Sequence, residues 1–490
     1  MHWLRVCLAG AVLVAGSGCG QPAPPEPAES RGSRLEIAIP SADAPLGPLL
    51  FSLTRTRLLR MDQAGHEQPD LVERWETSAD GRTWTLTVRE GARLQDGAEI
   101  TAGHIVPLLR EAVGSPEAWP GLWTVTSVEA AGSREVRLTL REPTSLLLES
   151  LSLVGALPAG PYRAPDDDTE LPSLEAVPDP APASPDPDIR TVAFRRYDTP
   201  RAAVAALLRE EVDVLYEVPN ESRALLAAQD GVRIYPHVKP YVVTLGVNHA
   251  HPVLARRRVR LALNALVDRH ALIREVGGGE PAADVIWLQH WSHPHTADAE
   301  WLRVDRDRAR TLLDAEGLPM GRGPDGAMRP RFGVACLVLD DPTMIRVAGR
   351  LQQTYADAGI ALELKPVTLP ELSSRLASGD FETFLSPMVS GYGLGVPYLY
   401  FGPHDRPRMI DLGYRTAVAA AERVRNAGDD DALVSAVADL HQVLLEDPPA
   451  VHLYWQRTSR AVGRRVQVPE DAESDVLGSL PRWKVVAETR

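Results

Sequence analysis

Cysteine is scarce: three in 490 residues, at positions 7, 19 and 336. That excludes a disulfide-stapled fold, and a chain of this length buries enough apolar surface for two or three domains without one. Aromatic residues make up only 6%, so any local clustering of them is informative. Basic charge is in deficit. Lys and Arg number 52 against 66 Asp and Glu, a formal charge of −14, which disfavours a nucleic-acid-binding surface. The basic run Arg256-Arg257-Arg258 precedes a helical pattern and reads as a solvated face. Catalytic signatures are missing as well: no G-x-S-x-G elbow, no H-E-x-x-H and no G-x-x-x-x-G-K-[ST]. With no nucleophile–base pair in view, the chain does not read as an enzyme, and no cofactor is expected. No later run is long and apolar enough for a transmembrane helix.

What is present begins with MHWLRVCLAGAVLVAGSGCG. Arg5 supplies a short positive region, Val6 to Ala15 an apolar run, and small residues follow, the pattern of a secretory signal. The run ends on Gly18-Cys19, which resembles the bacterial lipoprotein signal, in which that cysteine is freed by cleavage and acylated. Gly16 departs from the usual Leu, and plain secretion is the alternative. Residues 19–33, rich in Pro, Ser and charge, cannot bury enough apolar surface to fold and read as an extended tether. Cys336, in the strand-like run FGVACLVL, reads as a small core residue with nothing nearby to activate it.

The mature chain starts with a strand at Leu35 to Ile39. LVERWETSADGRTWTLTVREGA then reads as a hairpin turning at Ala79-Asp80-Gly81, with Trp84, Leu86 and Val88 on one face. Thr101 is placed to cap a helix that Pro107 kinks or delays. Another strand pair covers Val125 to Ala130 and Glu135 to Leu140. The acidic, proline-rich stretch within 164–188 reads as a surface loop; its acids do not follow the spacing of a calcium loop. Beyond it, strands and helices alternate to the C-terminus, which argues α/β architecture.

Three stretches hold side chains that could carry chemistry. SGYGLGVPYLYFGP, Ser390 to Pro403, contains four glycines, two prolines and three tyrosines. Its glycines are too evenly spaced for a dinucleotide fingerprint, and it shows neither a phosphate-loop lysine nor a following helix start. LQHWSHPHTAD brings His290, His293 and His295 close in sequence, a spacing that can bind Zn, Ni or Cu. Pro294 and the polar neighbours point instead to an exposed loop without fixed geometry. Asp268, Arg269 and His270 read as surface residues of one helical face.

The order of motifs carries a resemblance. Leu71 to Trp75, Asp80-Gly81, Val88 to Gly91, Asp96-Gly97 and Thr101-Ala102 follow the succession found in family 5 extracellular solute-binding proteins, which deliver peptides and related solutes to ABC importers. Gly160-Pro161-Tyr162, RRYDTPRAAVAALLREEVDV, VNHAHPVLARRRVRLALNALVDRHALI and VDRDRARTLLDAEGL continue it in the same order. The resemblance implies a two-lobed α/β periplasmic-binding-protein fold of type II, with the family's extra subdomain, closing by a hinge on a ligand between the lobes. It divides the chain into a signal at 1–18, a tether at 19–33, lobe I at 34–243, lobe II at 244–451 and a return to lobe I at 452–490. It also implies a monomer on the extracytoplasmic face, lipid-anchored to the membrane, whose partners are a peptide or other small solute and an ABC permease. One departure stands out. The family's peptide binders carry a W-x-x-D-Y-type segment whose Asp pairs with the peptide ammonium. The matching place here is 390–403, which has no acid; the nearest are Asp380 and Asp405.

Candidate ligand-binding residues are therefore aromatic: Tyr392, Tyr398 and Tyr400, then Tyr241 and Asn248 at the crossing into lobe II, and Tyr454 and Trp455 on the returning strand. Core packing is the competing reading for each. A sugar or metal chelate as ligand, an exported enzyme on the same fold, and a sensor or partner-binding lipoprotein with a degenerate cleft stay open as alternatives.

Overall fold

A computed structural model describes residues 32–486, except 41–45, 155, 166–170, 178–186, 294–302, 323–327, 404–409 and 473–474. The signal, Cys19, most of the tether, His295, Asp405 and much of the acidic loop lie outside the described residues.

The architecture is two-lobed and mixed α/β. Its spine is one 11-stranded sheet. On one side β1 (Arg34–Ile39) lies parallel to β5 (Thr191–Arg196), after the hairpin strands β2 (Val72–Thr77) and β3 (Thr83–Val88) and the short β4 (Leu174–Ala176). On the other, β8 (Phe332–Leu339) lies between β9 (Ile360–Val367) and β10 (Thr383–Val389), parallel to both. Two long antiparallel strands join these halves: β6 (Val232–Val247) and β11 (Ala450–Gly463), with the short β7 (Gly279–Pro281) on the outer side of β11. Val232 to Val238 pair with Gly463 to Arg457, and Val242 to Gly246 with Trp455 to Ala450. Between the two ladders the register shifts, leaving Lys239, Pro240 and Tyr241 opposite Gln456. Pro240 has no N–H to donate, so it is tolerated where the ladder is already interrupted.

The subdomain is a separate four-stranded sheet built on the 72–88 hairpin. The predicted alternation is present: Leu86 and Val88 are fully buried beneath helix α1 (Ala102–Gly114). The Thr101 N–H at the start of that helix donates to His104 Nδ1 at 3.1 Å. The helix runs through Pro107 rather than starting after it. Two further expectations need correction. The acidic stretch is not loop throughout, because β4 lies within it and pairs antiparallel with β5. Arg269 is not a surface residue: it is 2% exposed.

That arginine follows the cap of helix α4 (Arg269–Val276), where the Asp268 carboxylate accepts the Ala271 N–H at 2.8 Å. The helix α3 (Arg257–Leu266) ends just before it, and α2 (Leu147–Leu153) lies earlier in the chain. The corner between α3 and α4 turns the guanidinium inward. Its Nε donates to the Ala282 and His452 carbonyls at 3.0 and 2.8 Å, and an Nη donates to Asn264 Oδ1 at 2.8 Å. Burial lowers its pKa to about 10, so it still donates as a cation at neutral pH. Cys336, by contrast, is the core residue expected: it is fully buried and its thiol is pushed up to about 12 by burial.

Arg269→Met should keep the volume and leave those carbonyls without a donor. We expect a loss of about 3 kcal/mol, since each buried acceptor left unpaired costs about 1–3 kcal/mol. Urea unfolding reads this as a lower midpoint, and an unchanged midpoint would refute the role.

Candidate ligand cleft

The segment from Ser390 leaves β10 beside the register break, where the Ser390 N–H donates to the Pro240 carbonyl at 2.9 Å. Contrary to expectation, a helix does start after the glycines: α5 (Gly395–Phe401) is short and buried. Its leading amides are already engaged. Glu149, on α2 of the opposite lobe and 5% exposed, puts its carboxyl group against them. Oε2 accepts the Leu394 N–H at 2.8 Å, and the Gly395 N–H lies 2.9 Å from both oxygens. The glycines permit this approach. A Cβ on Gly393 would stand 2.3 Å from the Glu149 carboxyl carbon, and one on Gly395 2.9 Å from Oε1. The segment thus lacks an acid in sequence and receives one in space.

Sequence reasoning missed Glu149, although TSLLLESLSL offered a signal: a lone acid inside an apolar run. Burial pushes its carboxyl up to about 7; the two amides pull the value back and Glu67 adds to the rise. Glu67, on the strand Glu67–Pro69, is itself raised, mainly by burial.

Aromatic side chains complete the junction. Trp287, also missed, stands edge-on to Tyr392 at 5.0 Å and to Trp455 at 5.2 Å between ring centroids. Its Nε1 donates across the junction to the Gln63 carbonyl at 2.9 Å, and the Trp291 N–H donates to the Ala64 carbonyl at 2.7 Å. Tyr398 tilts against Trp123 at 5.8 Å and gives its hydroxyl to Glu422. Tyr400 donates to the Val389 carbonyl at 2.9 Å. Tyr454 is 2% exposed in the lobe II core. Asn248 holds a turn, donating to the Phe381 carbonyl at 2.8 Å and accepting the Ala250 N–H at 2.9 Å. Tyr241, at the register break, and Tyr392 are half-buried. The structure therefore gathers Tyr392, Tyr398, Tyr400 and Trp455 into one cluster with Trp287, and sets Tyr454 and Asn248 apart from it. Asp380, one of the nearest acids in sequence, pairs with Arg375 at 3.1 Å.

The lobe I side of the break is polar. Lys239 Nζ and the Thr458 hydroxyl each lie 3.0 Å from Glu217 Oε1. Burial would raise the Glu217 carboxyl, but these contacts and Arg460 hold it below the usual range. Arg460 lies over the Tyr216 ring at 4.0 Å and pairs with Asp475.

His290 and His293 do not lie in the exposed loop expected of them. His290 is buried, with Nδ1 2.8 Å from the Ser292 hydroxyl. His293 turns away from it towards His441 on α7 (Asp430–Glu446), which follows α6 (Val418–Arg425), and towards Asp284. The apparent His290/His293 cluster is thus split among the described residues.

Two α/β lobes joined by a crossing strand pair, meeting over a buried acid and an aromatic cluster, define the two-lobed class of extracytoplasmic binding proteins. Residues 67–407 match the bacterial extracellular solute-binding proteins, family 5 (middle region), and the chain belongs to that family. It is a family of solute-binding proteins rather than of enzymes, and its members work with ABC transporters. Among curated relatives, a probable D,D-dipeptide-binding periplasmic protein of Escherichia coli K12 is 20% identical, over 81% of each chain. Among solved structures, a peptide-binding protein described as putative from Clostridium difficile superposes with a TM-score of 0.78 at 15% identity, covering 92% of this chain and all of that one. NikZ from Campylobacter jejuni, in complex with Ni(L-His), gives a TM-score of 0.76 at 17% identity, covering 92% of this chain and 99% of that one. No helix among the described residues is long and apolar enough to cross a membrane.

The Glu149 carboxyl lies above its ordinary value of 4.5, so the folded state holds an extra proton between there and about 7. Stability from this group is greatest below that window and is lost as pH rises through it, by roughly 3 kcal/mol in all. Glu67 and Asp70, the latter pushed up to about 6 by burial, add slope of the same sign. Glu149→Gln should therefore flatten, but not abolish, the fall in unfolding free energy between pH 4.5 and 7. An identical slope in wild type and variant would show that Glu149 does not titrate there.

Proposed function

We propose that this chain is a lipid-anchored, extracytoplasmic solute-binding protein that delivers a peptide or peptide-like solute to an ABC permease by hinge closure. The observation that carries it is the register break at Lys239–Tyr241, opposite Gln456. Of the two register shifts between β6 and β11 it is the longer, leaving three residues outside the ladder, so backbone rotation there costs few hydrogen bonds. We assign the hinge to these residues, a few positions from the boundaries that the sequence suggests. Ion pairing of Lys239 with Glu217 holds the lobe I side of that hinge.

The solute class is supported by the D,D-dipeptide relative and by the peptide-binding structural neighbour. Tyr241 and Tyr392 are the half-buried members of the predicted set nearest the break, and they are the residues we assign to the solute. A second reading has its own observation. The hydroxyls of Tyr398 and Tyr400 have internal partners, and Glu149 occupies the amides of the clamp segment. That favours a sensor or partner-binding lipoprotein with a self-filled cleft.

Thermal unfolding and small-angle scattering with D,D-dipeptides, short L-peptides, glycans and nickel–histidine separate the two. Transport predicts a rise of several degrees in Tm and a smaller radius of gyration with one solute class. No shift with any of them favours the second reading. Anchoring has a separate check: Cys19→Ser should move the protein from the membrane fraction to the soluble fraction, and unchanged membrane association would exclude Cys19 as the anchor.

A further inference from the structure

Asp284, His293 and His441 converge from separate places: the first two from the segment after β7, the third from α7. One ligand-capable atom from each lies within 4.8 Å of the others. The His293 and His441 rings stand edge-on with centroids 4.7 Å apart, and His441 Nδ1 meets an Asp284 carboxylate oxygen. Asp284 is 3% and His441 9% exposed. A buried ion pair needs one imidazole for one carboxylate. Here there is a surplus. His452 on β11 is 2% exposed, and Asp284 is the acid whose charge acts on it. Its Nδ1 is fixed by the Thr244 hydroxyl at 3.0 Å, while its Nε2 is buried without a hydrogen-bond partner.

We propose that Asp284, His293 and His441 bind a divalent first-row transition-metal ion, resident in lobe II and distinct from the transported solute. Two imidazoles and one carboxylate match the borderline preference of zinc, cobalt and nickel, and do not suit the all-oxygen shells of calcium or magnesium. Such ions hold these donors at about 2.0–2.2 Å. One donor atom from each of the three residues already lies within 4.8 Å of the others, so a shared ion needs only a modest approach. Binding replaces the Asp284–His441 hydrogen bond, and each imidazole ligates in its neutral form. A water fills the fourth position, and His452 lies outside the set of mutually close donors. The ion would pin the 284–293 segment, whose Trp287 and Trp291 bond to Gln63 and Ala64 of the other lobe.

The test uses the full mature chain stripped with a chelator, titrated with zinc by calorimetry and with cobalt by visible absorption, without added solute. We expect one zinc per chain and cobalt bands of nitrogen–oxygen ligation. His293→Ala, at a half-buried position, should fold normally and weaken zinc binding by at least about 100-fold. Asp284→Asn should do the same, and His270→Ala, exposed on α4, should leave it unchanged. Absence of stoichiometric zinc binding, or binding that survives His293→Ala, overturns the proposal. Because no peptide or glycan is present, neither result bears on the peptide-transport reading.

Discussion

The hydrogen-bonded pair formed by β6 and β11 is the constraint on which both lobes depend. Each strand begins in one lobe and ends in the other, so the two halves of the sheet share a single backbone framework. A sheet cannot bend sharply through an intact ladder without losing bonds, and buried unpaired backbone groups are costly. The break between Val238 and Val242 concentrates the loss where Pro240 has no donor to satisfy and the Pro240 carbonyl already accepts from Ser390. The segment carrying the clamp is therefore tied to the same point at which the lobes can turn. Movement of one lobe necessarily moves the clamp.

The clamp itself shows one electrostatic need met by a different part of the chain. The resembled peptide binders place an acid within this segment. Here the acid comes from Glu149, 245 residues earlier, and it faces inward to backbone amides. Two neutral donors do not repay the desolvation of a full carboxylate, which is why its pKa rises. The contact ties α2 to the start of α5, and its carboxyl keeps its proton to a higher pH than an exposed one. Glycines 393 and 395, whose spacing does not fit a dinucleotide fingerprint, are the shape complement of that side chain.

Local signals in the sequence led directly to local structure. The alternation and Asp-Gly turn in 72–88 gave a hairpin, and Thr101 preceded a helix. The motif order led to the family and hence to the two-lobed fold. What stayed hidden was non-local. The Glu149 partners, the meeting of Asp284 with His441 across 157 residues, and the inward turn of Arg269 depend on tertiary packing that no window of sequence contains. Pro236 and Pro240 also masked the true length of β6, because prolines in an apolar run argue against a strand unless its ladder is interrupted. Among the tyrosines, clustering was visible but hydroxyl partners were not. Burial separates Tyr398 and Tyr400, turned to Glu422 and Val389, from the half-buried Tyr241 and Tyr392.

An internal acid on the clamp changes what a solute must do. A ligand shifts an open–closed equilibrium only by its difference in affinity for the two forms. The Glu149 bonds and the Trp287 and Trp291 bonds to lobe I already favour closure without any solute contact. Under the transport reading proposed above, the solute has a smaller gap to bridge. The same bonds leave no open amide at Leu394 or Gly395 for a ligand carboxylate, and no acid in that segment for a ligand ammonium. On the same transport reading, selectivity is assigned to the half-buried Tyr241 and Tyr392. This arrangement favours a solute recognised by its body rather than by a charged terminus.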